Sequence, residues 1–527
     1  MHRPSSPDLL LVNPGQPERC YQTLATKLTA VEPPIWAGLI ATFVRRHGCS
    51  VEILDAQAEG LEPEAVARRV AAQRPLLAAV VVYGHNPSAS TQLMSAAGAI
   101  CNMIKAYCPE QRVLLVGGHV AALPRRTLEE EAADFVCGGE GPVTTLDLLQ
   151  ACKGSTHPNY AQVRGLWYRS DGSIRTTPPA PLVMDLDGAM PEVAWDLLPM
   201  SRYRAHNWHC FSRLHARQPY AAFYTTLGCP FRCSFCCIQA PFKTGELASG
   251  FHEDTNSYRY WRPDTIIGQI DMLVRDYGIR NIKIADEMFV LNRRHVSALC
   301  DRLIERGYDL NLWAYARVDT VQSDELIAKL QRAGFRWLAL GIESASEHVR
   351  QEVNKGFTQG LIASAVNRVR QAGIHVVGNY LFGLPEDDRN SLEATLDLAL
   401  ALNTEWANFY CAMAYPGSAL YTLALREQWP LPKTWSGYSQ YASDSHPLPT
   451  RWLSSTEVLQ FRDQAFRTYF TNPRYLDLVG ATFGKDTLPH IHEMLSHKLE
   501  RQTIPSWCKE TTYWRNADGG SRRRVLL

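Results

Sequence analysis

At 527 residues, with 46% hydrophobic and 20% charged residues, the chain has the profile of an ordinary globular protein large enough for more than one domain. Its formal net charge of +1 gives no electrostatic footprint for nucleic acid or an anionic membrane. The longest apolar run, residues 76–83, is far below a bilayer span, and residues 1–7 lead into only four apolar residues, so neither a membrane anchor nor a secretory signal is expected.

Residues 1–150 alternate short apolar runs with helical patterns. Runs 9–12, 51–55, 79–83, 113–116 and 135–137 predict five strands. Trp36, Leu39, Ile40, Phe43 and Val44 recur at i, i+3, i+4, i+7 and i+8, the spacing of an amphipathic helix. Alternating β and α elements argue an α/β domain built on a doubly wound parallel sheet, which binds ligands beyond the carboxyl ends of its strands. The polar, glycine-rich segments 84–88, 117–119 and 138–141 fall at those ends. Glycines there let a large ligand approach the backbone but do not name it; tight turns in a flavodoxin-like domain would read the same way.

Residues 151–214 read as a linker. A hairpin is predicted over 163–173, turning at Asp171-Gly172, and Pro178, Pro179, Pro181, Pro191 and Pro199 punctuate the irregular stretch after it. Cys229-Pro230-Phe231-Arg232-Cys233-Ser234-Phe235-Cys236 lies directly after the β-rich run 223–226. Its C-x3-C-x2-C spacing lets three thiolates converge on one centre, and soft thiolates select iron–sulfur clusters, zinc or Cu(I). Structural zinc wants four closed ligands, and no second cysteine pair follows at a plausible distance. The 14 cysteines show no compact disulfide spacing, which suits a reducing cytoplasm.

Strands are then expected at 282–285, 310–315, 337–342, 376–382 and 407–413, six with the cysteine strand. Six are too few for a closed eight-stranded barrel. Polar residues gather at the predicted carboxyl ends: Asp286 and Glu287, Arg317 and Asp319, Glu343 and Ser344, and the run 379–386 containing Gly383. Residues 421–527 form a helical, aromatic C-terminal region. Ser454 and Glu457 make a capping box for a helix on which Phe461, Ala465, Phe466 and Tyr469 share a face. This region reads as a packing cap, as the wall of a substrate pocket, or as both. Arg522, Arg523 and Arg524 read as a solvated terminus.

The cysteine loop resembles that of the radical S-adenosylmethionine (SAM) superfamily, C-x3-C-x-aromatic-C, with Phe235 in the aromatic place. The resemblance implies a partial (β/α)6 barrel over residues 215–420. It also implies a [4Fe–4S] cluster on Cys229, Cys233 and Cys236 whose open iron chelates SAM, with Phe235 near the adenine and Cys237 packing only. Asp286 and Glu287 fall where the family binds the SAM amino group, and Glu343 near its ribose or methionyl part. Arg317 supplies a donor type for the carboxylate, and Gly383 a close backbone approach. The run 379–386 approximates the family's G-x-I-x-G-x-x-E, with Asn379 and Leu381 as departures.

The preceding domain resembles the cobalamin-binding domain of one large subfamily, in which G-G-x-H and G-E-G motifs recur, through Gly117-Gly118 with His119 directly after them and through Gly139-Glu140-Gly141. That implies cobalamin contacts from Ser88, Gly117, Gly118, His119, Gly139, Glu140 and Gly141. No D-x-H-x-x-G follows the first strand, so cobalamin is expected without a protein histidine on cobalt; His119 would touch the cofactor's edge or serve its own loop. The resemblance implies a C-methyltransferase acting on an unactivated carbon of a small molecule, with SAM as both methyl and radical source. An electron donor such as flavodoxin or ferredoxin is expected. A non-methylating cyclase or rearrangement enzyme is the nearest alternative, and a non-catalytic cobalamin sensor the alternative of another class.

Overall fold

A computed structural model describes residues 6–15, 17–154, 158–502, 511–513 and 524–526. The first sheet carries five parallel strands, β1 (Leu9–Asn13), β2 (Val51–Asp55), β3 (Leu77–Val81), β4 (Val113–Val116) and β5 (Phe135–Cys137), in the order β2-β1-β3-β4-β5. β1, β3 and β4 are buried along their whole length, as expected of parallel strands covered on both faces. The pleat divides them: Leu9 and Leu11 join the core shared with helix Ile35–Arg46, while Leu10 and Val12 join that of helices Pro63–Gln73 and Ala89–Tyr107. The predicted hairpin forms as β6 (Leu166–Ser170) and β7 (Ser173–Thr176), but it is no free linker element. β6 pairs antiparallel with β5, Cys137 opposite Leu166, and the hairpin widens the first sheet to seven strands.

β8 (Tyr220–Phe223) begins the second sheet. A short antiparallel pair, β9 (Thr226–Leu227) and β10 (Arg259–Tyr260), stands beside its exit. β11 (Asn281–Ile284), β12 (Asn311–Arg317), β13 (Phe335–Glu343), β14 (His375–Phe382) and β15 (Trp406–Cys411) complete it, all parallel, in the order β8-β11-β12-β13-β14-β15. Helices separate them, and β8 and β15 do not pair. This is an open six-stranded barrel, the partial (β/α)6 architecture expected. Its amino-terminal end is plugged by aromatics, with Trp208 against Trp313 and Trp337, and Phe211 against Phe483.

Two buried ion pairs tie the sheets together. Glu140, after β5, meets Arg259 on β10 at 2.7 Å, and Glu32 meets Lys283 on β11 at 3.1 Å. The C-terminal region leans on the barrel through helix Ser455–Phe470, whose Ser454–Glu457 capping box forms as predicted. Phe461 meets the edge of Phe382 at 5.1 Å, and Tyr469 hydrogen-bonds the Thr404 carbonyl at 2.6 Å. The basic run Arg522 to Arg524 lies almost entirely outside the described residues. Among the described residues no helix is long and apolar enough to cross a membrane.

Candidate active site

The cysteine loop is held on all sides. Gly228 turns it at φ +87°, where a Cβ would lie 2.3 Å from the Ser257 carbonyl oxygen, so only glycine fits. The Cys229 amide donates to Gln239 Oε1 at 3.1 Å, and Gln239 Nε2 donates to Glu246 at 2.7 Å. Ser234 bridges the barrel mouth: its amide donates to the Val353 carbonyl and its carbonyl accepts from the Leu420 amide. Cys233 and Cys236 stay half-buried and every described cysteine is a free thiol. Cys237 is buried, and desolvation pushes its thiol up to about 12. Among the described residues no three His, Cys, Asp or Glu side chains converge closely enough to hold one ion. The loop's donor set is three soft thiols, the number that holds a cubane cluster with one open iron, whereas structural zinc takes four ligands.

Around this loop the barrel's strand ends differ in what they leave open. Asp286 is wholly buried, and its carboxylate accepts from the Thr225 amide (2.6 Å), the Thr225 hydroxyl (2.5 Å) and the Thr226 amide (3.1 Å). It clamps the strand that delivers the cysteines. Burial raises it to about 6 against those bonds. Glu287 is half-buried and has no hydrogen-bond partner among the described residues. Desolvation raises it to about 7, Lys283 opposing and Asp286 adding.

Arg317 lies with its guanidinium 3.9 Å over the Phe231 ring and Nη1 3.7 Å from the Cys233 Sγ, braced by Asp319 at 2.9 Å. Glu343 sits at a register shift in β13 with φ +65°, an unusual conformation for a non-glycine residue, and pairs with Lys355. Phe235 packs against two small apolar clusters, one containing Val349, Leu381 and Leu384 and the other Ala414 and Leu420. Gly383 takes φ +83°; a Cβ there would meet Val458 at 2.5 Å.

The first sheet's strand ends are more occupied. His119 is buried; its amide donates to Ser90 at 2.8 Å, its Nδ1 meets Thr91 at 3.1 Å, and Trp435 lies 4.4 Å away edge-on. Glu140 is bidentate to Arg259 and accepts from the Val183 amide. Thr244 donates to the Gly138 carbonyl, and Gly139 lies against the same threonine. A Cβ on Gly117 would fall 2.1 Å from the Val82 carbonyl oxygen and one on Gly141 2.8 Å from Val116, whereas Gly118 has 3.5 Å of room towards Ser90. Ser88 donates to Asn86 at 2.8 Å.

The open space lies at the switch point between β1 and β3, in a cleft bordered by Asn13, Gly15, Trp36, Tyr83, Gly84 and His85. Its floor is Trp36 stacked on Tyr83 at 4.3 Å. A second cavity, about 990 Å³, runs from the strand-end loops of the first sheet into the barrel lumen and under helix Ser455–Phe470. Tyr21 and His85 border both spaces.

Two sequence families account for these halves: residues 21–149 match the B12 binding domain and residues 223–399 the Radical SAM superfamily. The chain is a B12-binding radical SAM enzyme. It is 27% identical over 446 residues to an uncharacterized methyltransferase of Pyrococcus horikoshii, covering 84% of this chain and 89% of the relative. It is 25% identical to the anaerobic magnesium-protoporphyrin IX monomethyl ester cyclase of Cereibacter sphaeroides, over 85% of this chain and 69% of that one. Its fold matches that of the radical SAM methyltransferase TsrM from Kitasatospora setae, solved with cobalamin and a [4Fe–4S] cluster, at a TM-score of 0.64 and 16% identity over 92% of this chain and 99% of that chain.

The cofactors of such an enzyme are a [4Fe–4S] cluster, SAM and cobalamin, and the residues present fit them. Three thiols stand free on one loop, a carboxylate without a partner among the described residues lies beside that loop, and at the first sheet's strand ends a cleft of about 50 Å³ adjoins the 990 Å³ cavity at Tyr21 and His85. Glu32, Lys283, Arg259 and Gln239 carry no motif that marks them in the sequence. Only Lys283 has a local signal: a charge between Ile282 and Ile284, in phase with the lumen face.

Proposed function

We propose that the enzyme transfers a methyl group from SAM to a carbon of a small molecule held in the barrel cavity. Cys229, Cys233 and Cys236 hold the cluster, and the first sheet's strand-end loops, from the small cleft to the mouth of the barrel cavity, hold cobalamin. Bound there, the cluster supplies the electron that opens SAM to a radical, and cobalamin carries the methyl group. The observation that carries this reading is that the barrel cavity and the first-sheet cleft share a border at Tyr21 and His85, so a molecule held in the barrel lies beside the strand-end loops of the B12-binding half.

The chain's own residues bind and orient. Glu287 accepts the SAM ammonium, Arg317 donates to its carboxylate, and Phe235 and Gly383 line the adenine side. Asp286 positions the cysteine strand and does not touch SAM. Lys283 fixes the loop bordering both spaces, donating to Glu32 (3.1 Å) and to the His85 carbonyl (3.2 Å). Trp313 and Tyr315 line the lumen and limit water. A flavodoxin- or ferredoxin-type donor delivers the electron from outside.

Anaerobic turnover should release S-adenosylhomocysteine and 5′-deoxyadenosine together, with a product heavier by one methyl group. The cyclase relative supports a second reading, oxidative ring closure, which predicts 5′-deoxyadenosine without S-adenosylhomocysteine; that outcome would remove the methyl-transfer reading.

A further inference from the structure

Resting on the reading that the barrel cavity holds the substrate, we infer that this substrate is a ring-containing organic anion whose rings lie on an aromatic wall and whose anionic group meets Arg462. The wall is formed by Trp313, Tyr315, Tyr410 and Tyr441, all bordering the cavity. Lys283 stands over Trp313 and Tyr315 at 5.1 and 5.8 Å and Arg462 over Tyr441 at 4.9 Å, and the ring surface left open takes flat apolar rings in offset or edge-on contact.

The charge balance identifies the other end. Arg462, on helix Ser455–Phe470, is 3% exposed and never loses its proton. Its Nε donates to the Phe409 carbonyl at 2.8 Å and its Nη1 to Asp463 at 3.0 Å, while Nη2 has no protein acceptor among the described residues. Arg501, 4% exposed, donates to the same Asp463 at 2.9 and 2.8 Å and to the Ala442 carbonyl at 3.0 Å.

Two buried guanidiniums therefore share one carboxylate. Arg467 and Lys498 at the same end are exposed to solvent, and Asp463 is the one acid among the described residues that line the cavity. Lys283 does not change the balance, since Glu32 already neutralises it. A buried cation short of a counter-ion is costly, and a carboxylate or phosphate on the bound molecule completes the corner.

The test is a calorimetric titration of the full chain, carrying its cluster and hydroxocobalamin, with 2-naphthoate and its uncharged isostere 2-naphthamide. The acid should bind at least about tenfold tighter than the amide. Arg462→Gln should erase that preference, Arg462→Lys should keep most of it, and Ala339→Phe, which fills the lumen, should weaken both ligands. Equal affinities, or a preference that survives Arg462→Gln, overturns the inference. If Arg462→Gln does not fold, Asp463→Asn decides: loss of the acid should tighten naphthoate, and unchanged or weaker binding refutes the assignment. A preference present without cobalamin and absent with it would give the corner to the cofactor's phosphate, which also overturns it. Cluster content and 5′-deoxyadenosine release are scored on the same samples: their absence refutes the proposed function, whereas equal naphthoate and naphthamide binding beside intact SAM cleavage refutes this inference alone.

Discussion

Both parallel sheets end in polar, glycine-rich loops, yet they use those loops in opposite ways. At the first sheet the charged and aromatic side chains hold the molecule together: Glu140 is closed by Arg259, and His119 by Thr91 and Trp435. What remains for a ligand is backbone and a cleft. At the second sheet Asp286, Glu343 and Arg317 are closed in this manner, by Thr225, Lys355 and Asp319, whereas Glu287 has no hydrogen-bond partner among the described residues and lies beside the cysteine loop. A motif residue is thus a ligand contact only when its hydrogen-bonding capacity has not been taken up by the fold.

Removing the cysteines separates the two sheets most sharply. Cys233→Ala should abolish the cluster chromophore and SAM cleavage while the first sheet still takes up hydroxocobalamin, both read by absorbance; retention of SAM cleavage would break the division. Glu140→Gln comes next. It leaves Arg259 buried without its charge partner, for a loss of about 3–5 kcal/mol in chemical denaturation, and the apolar pair Glu140→Leu with Arg259→Met should recover most of it. A cobalamin ligand would behave otherwise, losing cofactor affinity with stability unchanged.

Glu287→Gln should leave the melting temperature unaltered and weaken SAM binding by about 1.5–3 kcal/mol, the worth of a charged hydrogen bond. A drop in stability instead would place Glu287 with the structural carboxylates.

The smallest effect is on pH. Burial lowers His119, His206 and His209 to about 3 from 6.5. Their stabilising neutrality is fully present above the unfolded value of 6.5, and stability should fall as pH drops from there towards 3. His119→Phe should flatten part of that slope in denaturation series run from neutral pH into mild acid.

Much of this was legible in the chain. Continuous apolar runs announce buried parallel strands, and C-x3-C-x2-C with Phe235 announces the cluster loop, because both are local patterns. The ion pairs were not legible, since their halves are distant: Glu140 and Arg259 are 119 residues apart and Glu32 and Lys283 are 251. The hairpin misled for a related reason, because the turn at Asp171-Gly172 specifies β6 and β7 but not the sheet edge they join. Asp286 and Glu287 look equivalent in sequence; the threonine hydroxyl and two backbone amides that occupy one and not the other separate them.

The central claim is that three thiols hold a cluster with one iron open to SAM. Electron paramagnetic resonance of the anaerobically reconstituted, dithionite-reduced protein tests it directly. The account predicts a [4Fe–4S]⁺ signal whose g-values shift when SAM is added and which vanishes in Cys233→Ala. A protein without iron and sulfide, or a cluster signal that SAM leaves unchanged, would contradict it.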